Sequence, residues 1–479
     1  MSKNLLIVMS DEHQSRLLGC ANHNIISTPN LDKLASRGTR FANAYTPSPI
    51  CVPARASFAT GQYAHTNRLW DNAMPYTGDI PGWGHALQTK GIPVESIGKL
   101  HYRQQEDEDG FDEKHLAMMV VDGIGMVWAS VRRENERRIN TGPDRMLGNY
   151  IGPGTSKYTE YDAAVTERAI QWLKAVADHQ INKPWCLYVG LVAPHFPLVV
   201  PQEWFDMYPT DRFPDVKLHP KDGYTRHPWV EKQNDFMDNE SKFKDSHERA
   251  AAVSAYYGLV SWMDHNVGLI MSALEEAGLA DSTDIIYTSD HGDNIGARGL
   301  WGKSNHYEEA VAVPLIFSGS DMPVGVCDTP VSLIDLAPTI VDHFDTELAH
   351  KVPGESLFDV MREPHDSERV VFSEYHAAGA TSGAFMLRKG SWKYIYYVGF
   401  EPELFNLEKD PEEIENLSGV ASCSEKQAEL HQELLNICDP ELTNQQAFAD
   451  QDAMIASFGG REVAMKLGAP GATPAPEVK

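Results

Sequence analysis

Two kinds of hydrophobic pattern alternate along most of this chain. Continuous apolar stretches bounded by polar residues occur at Leu5–Met9, around Val94–Ile97, at Trp185–Val192, between Asp284 and Ser289, and at Val311–Phe317. Unbroken runs of this kind predict strands buried on both faces of a parallel sheet, since a strand with one wet face would alternate. Helical spacing lies between them. Thr28–Gly38 carries a capping threonine, Pro29 in its first turn and a closing glycine, while Tyr161–Val176 puts Val165, Ala169, Trp172, Leu173 and Val176 on one face. Arg249–Ala277 predicts a long core-facing helix, interrupted by Gly258 and ended by Gly278, in which Asp264, His265 and Asn266 exclude a membrane span. The alternation predicts an α/β fold.

The rhythm changes after about residue 365. Short strands are predicted at Val370–Phe372 and Trp392–Tyr397, a helix at residues 424–438, and from Gly468 a Gly- and Pro-rich tail that is poorly ordered or packed on a partner. Residues 104–160 are irregular and read as a substrate-shaping insertion; residues 201–246 have no clear periodicity. The expected division is therefore a large domain over 1–365 and a smaller α+β one over 366–479.

Charge narrows the function. With 479 residues and a formal net charge of −27, the chain presents no broad surface for nucleic acid or an anionic membrane, so an anionic substrate requires a locally basic pocket. The six cysteines, at positions 20, 51, 186, 327, 423 and 438, have no Cys-x-x-Cys spacing and fit a reducing compartment. Only five apolar residues precede Asp11 and Glu12, too few for a signal peptide, so a cytoplasmic location is expected.

Candidate chemistry centres on residues 47–61. Pro47 and Pro49 forbid regular structure ahead of Cys51, Pro53 suits a first helical position, and Ala54–Thr60 predicts a short helix closed by Gly61. Cys51 then lies at a helix N-terminus, where backbone N–H groups favour a thiolate or an anion derived from that position. Arg55 adds a fixed positive charge one turn on. Ser10-Asp11-Glu12 follows the first strand, at the edge where open α/β sheets bind ligands, and there an acidic pair can hold a cation or cap a helix. Lys99 and His101 lie two apart and project from one face of an extended segment. His195 sits in a loop between Pro194 and Pro197, which restrict its conformation. Asp290 and His291 end the run from Asp284 as Asp11 ends the first strand, and Lys303 follows a short step on.

Cys51-x-Pro53-x-Arg55 followed by Ala56-Ser57-x-x-Thr60-Gly61 resembles the signature of the type I sulfatases, members of the alkaline phosphatase superfamily in which this cysteine is oxidised to formylglycine. The segments Thr28–Asp32, Gly98–His101, Pro194–Pro197 and Thr288–Asp293, with its spacing to Lys303, resemble the same family over residues 4 to about 418. The spacing from the signature through Asp71 and Asn72 to Gly98–His101 is similar to that of choline sulfatases.

The resemblance implies a large, mixed, mostly parallel sheet flanked by helices, with a smaller C-terminal antiparallel sheet. It implies a sulfuric ester hydrolase that converts a small sulfate monoester to alcohol and inorganic sulfate. The nucleophile is formylglycine, made from Cys51 by a formylglycine-generating enzyme during maturation. One divalent cation is implied, with Asp11, Glu12, Asp290, His291 and the Cys51-derived oxygen as ligands; the oxygen-rich set suits Ca²⁺ first, and the imidazole leaves Mn²⁺ or Mg²⁺ open. Glu12 departs from the family, where Asp or an amide is commoner. Lys99, Lys303 and Arg55 supply positive field, and Asn72, Lys99, His195 and Lys303 bind substrate. His195 protonates the leaving alkoxide, and His101 takes the proton that lets sulfate depart. Neither nucleic acid nor membrane is an implied partner, and a homo-oligomer is compatible. The nearest alternative is a phosphonate monoester or phosphodiester hydrolase of the same superfamily, which tends to lack the Lys99 and His101 pair. Trp70, Tyr76, Trp83, Tyr102 and Trp128 are candidates to line the pocket by cation–π or stacking contact, with burial in the core as the alternative.

Overall fold

The computed structural model describes residues 3–140, 145–178, 183–213, 216–363, 365–469 and 471–477. The central sheet has eight strands: β1 (Asn4–Asp11), β2 (Gly38–Phe41), β3 (Val94–Lys99), β4 (Glu113–Met118), β5 (Cys186–Pro194), β6 (Thr283–Ser289), β7 (Leu315–Ser318) and β8 (Gly325–Cys327), in the order β8-β2-β7-β6-β1-β5-β3-β4. β7 runs antiparallel to both neighbours, and the other pairings are parallel.

β1 shows why the predicted strands are apolar throughout. Its Leu6 and Val8 pack with α1 (Pro29–Ala35), α3 (Lys157–Asp178) and α4 (Ser246–Glu276), while Leu5, Ile7 and Met9 pack on the other face with α2 (Cys51–Thr60) and α5 (Leu336–His343). Each such side chain taken from water contributes ~1.5–3 kcal/mol, so both helical layers are needed to hold the sheet.

Register decides what meets at the carboxyl edge. Ser10 pairs with Ser289, so Asp11 and Asp290 leave adjacent strands side by side. Met9 and Gly98 are both level with Gly190 of β5, which brings Lys99 near the same height two strands away. A Cβ at Gly190 would stand 2.1 Å from the carbonyl oxygen of Lys99. Only glycine admits that approach, and through it Lys99 comes close enough to reach Asp11.

The C-terminal sheet is antiparallel and sequential: β9 (Val370–Tyr375), β10 (Ala384–Lys389), β11 (Trp392–Tyr397) and β12 (Glu403–Asn406). Leu430 and Leu434 of α6 (Ser424–Ile437) pack on it. It also braces the loop before Cys51, because Glu374 N donates to Pro47 O at 3.0 Å. The buried Glu374 carboxylate accepts from His65 N at 2.8 Å and pairs with His65 Nδ1 at 2.9 Å and His376 Nε2 at 3.0 Å.

Several elements differ from expectation for local reasons. The irregular stretch 104–160 contains β4, whose apolar pattern is diluted because it is an edge strand and mostly half-exposed. The strand expected from Val311 begins at Leu315, after a helical turn over Glu308–Val311 and after Pro314, which has no N–H for a ladder. Gly258 does not interrupt α4; it makes room for the Trp204 carbonyl, which a Cβ there would approach to 3.0 Å. Residues beyond 439 form α7 (Pro440–Ser457), a mostly polar helix with Ala447 and Gln451 buried.

The described residues of the tail from Gly468 include two anchored on their own chain. Ala469 O accepts from Trp128 Nε1 at 2.7 Å and Thr473 O from Tyr158 OH at 2.5 Å. These two aromatic donors hold an extended segment that has little apolar surface of its own. Among the described residues, no helix is long and apolar enough to cross a membrane.

Candidate active site

Cys51 is the first residue of α2, preceded by extended Ile50, and the helix closes on Gly61 in the left-handed conformation (φ 69°). Its Sγ lies 3.2 Å from His291 Nε2 and 3.7 Å from Asp11 Oδ1. His291 Nε2 is 3.8 Å from Asp11 Oδ1 and 3.7 Å from Asp290 Oδ1. The other ring nitrogen of His291 meets the Gly292 carbonyl at 3.1 Å. A carbonyl only accepts, so Nδ1 carries the proton and Nε2 turns its lone pair toward Cys51 and the two carboxylates. The unmodified thiol is held against ionising. Burial, reinforced by Asp11, pushes the Cys51 thiol up to about 11 despite Lys303 and Lys99, and a protonated thiol is a poor nucleophile.

Arg55 lies beneath the carboxylates. Its side chain is 1% exposed; Nε donates to Asp290 Oδ2 at 2.8 Å, Nη2 to Asp11 Oδ2 at 3.2 Å, and Nη1 to Lys99 O and Tyr188 OH, both at 2.9 Å. Lys99 Nζ reaches the same Asp11 Oδ2 at 2.5 Å. Burial alone would raise the Asp11 carboxyl, but Lys99 first, then His195, Arg55 and Lys303, hold it well below the usual range.

Glu12 faces another way. Its backbone is left-handed (φ 72°), and its Oε2 pairs with Lys303 Nζ at 3.0 Å and lies 3.4 Å from His195 Nε2. Oε1 is buried and accepts no hydrogen bond. Burial raises this carboxyl well above its ordinary value.

The two other histidines differ in their restraints. His195 Nδ1 bonds to Phe196 O at 2.6 Å, which fixes the ring. His101 is 5% exposed and neither ring nitrogen has a hydrogen-bond partner. Burial depresses both well below the ordinary histidine value, helped by Lys303 at His195 and by Lys99 at His101. Lys99 and His101 do not share a strand face, because β3 ends at Lys99 and His101 turns left-handed (φ 57°). Both nevertheless line one cavity, together with Cys51, Asn72, His195 and Lys303. Asn72 Oδ1 also accepts from Val52 N at 3.2 Å, which secures an otherwise unpaired N–H in the first turn of α2.

That cavity encloses about 1010 Å³ counting the open solvent at its mouth. Of the aromatic candidates only Trp128 lines it. Trp70, Tyr76, Trp83 and Tyr102 are core residues, with Trp70 Nε1 donating to Asp450 Oδ2 at 2.7 Å and Tyr76 set edge-on to Tyr102 at 4.9 Å. Phe236, Met237, Met146 and tail residues Gly471–Thr473 also line it. They come from segments without periodicity, so no sequence signal pointed to them.

The donor set fits a hard divalent cation. Ligand atoms of Asp11, Cys51, Asp290 and His291 all lie within 4.8 Å of one another, and Asp11, Glu12 and His195 form an overlapping group. Two carboxylates, an oriented imidazole lone pair and an unpartnered Glu12 oxygen suit oxygen-rich coordination.

The Sulfatase family profile matches residues 3–346, and that of the N-sulphoglucosamine sulphohydrolase C-terminal region matches residues 296–439. A choline-sulfatase from Rhizobium meliloti (strain 1021) is 33% identical over 426 residues, 87% of this chain and 82% of the relative. Arylsulfatase K from Mus musculus is 28% identical over 447 residues, 87% of this chain and 76% of the relative. Among solved structures, a phosphonate monoester hydrolase from Silicibacter pomeroyi superposes with a TM-score of 0.74 at 23% identity, covering 91% of this chain and 94% of that one. At that identity the superposition speaks for the fold alone.

Proposed function

Since the chain belongs to the sulfatase family and is a sulfuric ester hydrolase, we propose that it cleaves a sulfate monoester with a formylglycine made from Cys51 and one divalent cation, Ca²⁺ first. The observation that carries this reading is the convergence of Cys51, Asp11, Asp290 and His291 within 4.8 Å, in a cavity that Lys99 and Lys303 also line. The unmodified thiol is protonated, whereas a hydrated aldehyde offers one hydroxyl to attack sulfur and a second whose proton can be removed. Cys51 is 2% exposed, so the converting enzyme acts before the fold closes.

Asp11, Asp290 and His291 Nε2 would hold the cation, and Glu12, which groups with Asp11 and His195, would be a further ligand. When bound, the cation lowers the pKa of the oxygen at position 51 and polarises a sulfuryl oxygen. Arg55 keeps both carboxylates aimed and does not reach substrate. Lys99 and Lys303 neutralise the sulfuryl oxygens; opposite unit charges ~4 Å apart attract by ~4 kcal/mol at an effective dielectric of about 20. The ester's negative charge offsets the field of these lysines, so His195 gains a proton as substrate binds and delivers it to the leaving oxygen. His101 is neutral with unpaired nitrogens and takes the proton from residue 51 in the second half of the cycle. General acid–base help of this kind supplies ~10²–10⁴ in rate.

Phosphonate monoester hydrolysis is the second reading, because the fold serves both chemistries. The matched pair 4-nitrophenyl sulfate and 4-nitrophenyl phenylphosphonate separates them. A higher kcat/KM on the sulfate supports the sulfatase reading; a higher value on the phosphonate supports the rival.

A further inference from the structure

Two strands that end together at the carboxyl edge differ in length there. Met9 of β1 is level with Gly190 of β5, and Asp11 with Pro194, so Leu191, Val192 and Ala193 face Ser10 alone. A strand with surplus residues bulges and releases N–H groups from its ladder. Asp162 of α3, itself 1% exposed, takes two of them: Oδ1 accepts from Val192 N at 2.8 Å and Oδ2 from Ala193 N at 2.7 Å. The bulge closes in a turn, with His195 N donating to Val192 O at 3.0 Å.

On the reading above, in which His195 protonates the leaving oxygen, we infer that Asp162 is the positioning residue for that step, fixing through two backbone N–H groups the segment that carries His195. The imidazole moves with this backbone, because Nδ1 is tied to Phe196 O at 2.6 Å. Its Nε2 lies 3.4 Å from Glu12 Oε2, on the cavity side. One turn earlier on the same face of α3, the Tyr158 ring stands edge-on to that imidazole, centroids 5.8 Å apart. One helix therefore holds both the approach to His195 and a face of its ring.

The side chain suits the task. Burial pushes the Asp162 carboxyl up to about 7 against the pull of the two N–H groups, yet a carboxylate is what offers two acceptor oxygens to two successive donors. Asparagine has the same shape and one such oxygen, so its amide N–H would oppose a backbone N–H and the strand end would shift. As the bond from sulfur to the alcohol oxygen breaks, its electron pair goes to that oxygen, which takes the proton from His195 Nε2. A misplacement of ~1 Å at such a group can cost ~10² in rate.

The test compares phenyl sulfate with 4-nitrophenyl sulfate on formylglycine-converted full-length protein. Phenoxide needs a proton to leave and 4-nitrophenoxide scarcely does, so the ratio of their kcat/KM values reports proton delivery and is independent of the folded fraction of a preparation. His195→Ala should lower phenyl sulfate relative to 4-nitrophenyl sulfate by ~10² or more, the lower end of general acid help. Asp162→Asn should shift the ratio in the same sense by ~10-fold, and adding it to His195→Ala should shift it no further. Should the asparagine variant not fold, Asp162→Glu, which keeps both acceptors on a longer arm and so displaces the strand end, carries the same comparison with a shift in the same direction. A folded Asp162 variant that lowers both esters equally or neither, or a further shift in the double variant, overturns the inference. If His195→Ala itself leaves the ratio unchanged, His195 is not the acid, and the reading on which the inference rests fails and takes it along.

Discussion

Replacing Lys99 by alanine removes a cation that is 1% exposed and 2.5 Å from Asp11 Oδ2. Two consequences must be kept apart. Breaking a buried ion pair typically costs ~3–5 kcal/mol of stability, but Asp11 keeps Arg55 Nη2 at 3.2 Å, so the lower end of that range is expected. The catalytic loss comes from the sulfuryl oxygens, which lose one preorganised charge in a desolvated cavity. Such donors are worth ~10²–10³ in kcat, or ~2.7–4 kcal/mol. Lys99→Met keeps most of the stem and isolates the charge. Steady-state kinetics on 4-nitrophenyl sulfate, with thermal melts on the same preparations, should show both variants folded and kcat reduced by that factor, with a smaller change in KM. A folded Lys99→Met enzyme with wild-type kcat on the sulfate ester refutes the assignment of Lys99 to the transferring group.

Other perturbations report on different parts of the site. His101→Ala should leave the first half of the reaction intact, so rapid mixing should reveal a burst of one equivalent of alcohol before slow turnover; a slow, burst-free time course places His101 elsewhere. Arg55→Met releases the two carboxylates it orients, and calorimetric titration with Ca²⁺ should show affinity weaker by ~10–100-fold, the usual effect of losing an outer partner of metal ligands; unaltered affinity would remove Arg55 from that role. Glu374 is buried, which would raise its carboxyl, but His65 and hydrogen bonds from His376 and His65 outweigh burial and hold it well below 4.5. Its contribution to stability is thus present above 4.5 and fades as pH falls toward the depressed value. Glu374→Gln should melt lower at neutral pH and lose less on acidification than wild type, and parallel acid limbs for the two proteins would contradict this.

What the sequence revealed follows from where the physics is local. The apolar runs ending at Asp11 and Asp290 are continuous because both faces of β1 and β6 are covered, and strand ends in a parallel sheet gather on one edge. Cys51, Arg55, Lys99, His101, His195 and Lys303 could therefore be placed together by motif and order. Their division of labour could not. Arg55 and Lys99 share one carboxylate oxygen because Gly190 lets β3 close on β5, and that depends on register. Glu12 turns to Lys303 through a left-handed backbone that no neighbouring residue announces. The cavity wall was least legible: Phe236, Met237 and the tail have no periodic pattern, and aromatic content alone could not separate Trp128, which lines the cavity, from Trp70, Tyr76, Trp83 and Tyr102, which the core absorbs. β4 and β10 escaped notice because an edge strand and a strand ending in Arg388 and Lys389 dilute the apolar signal.

A nucleophile that is an aldehyde derived from Cys51 can be detected by its mass and matched to the activity of the same protein. Protein made with and without a formylglycine-generating enzyme should be digested with trypsin, and the Phe41–Arg55 peptide examined by mass spectrometry alongside the initial rate of aryl sulfate hydrolysis. An aldehyde at position 51 is expected, with a rate proportional to the converted fraction across preparations and Cys51→Ala inactive. Full activity in protein whose residue 51 is entirely unmodified cysteine would contradict it.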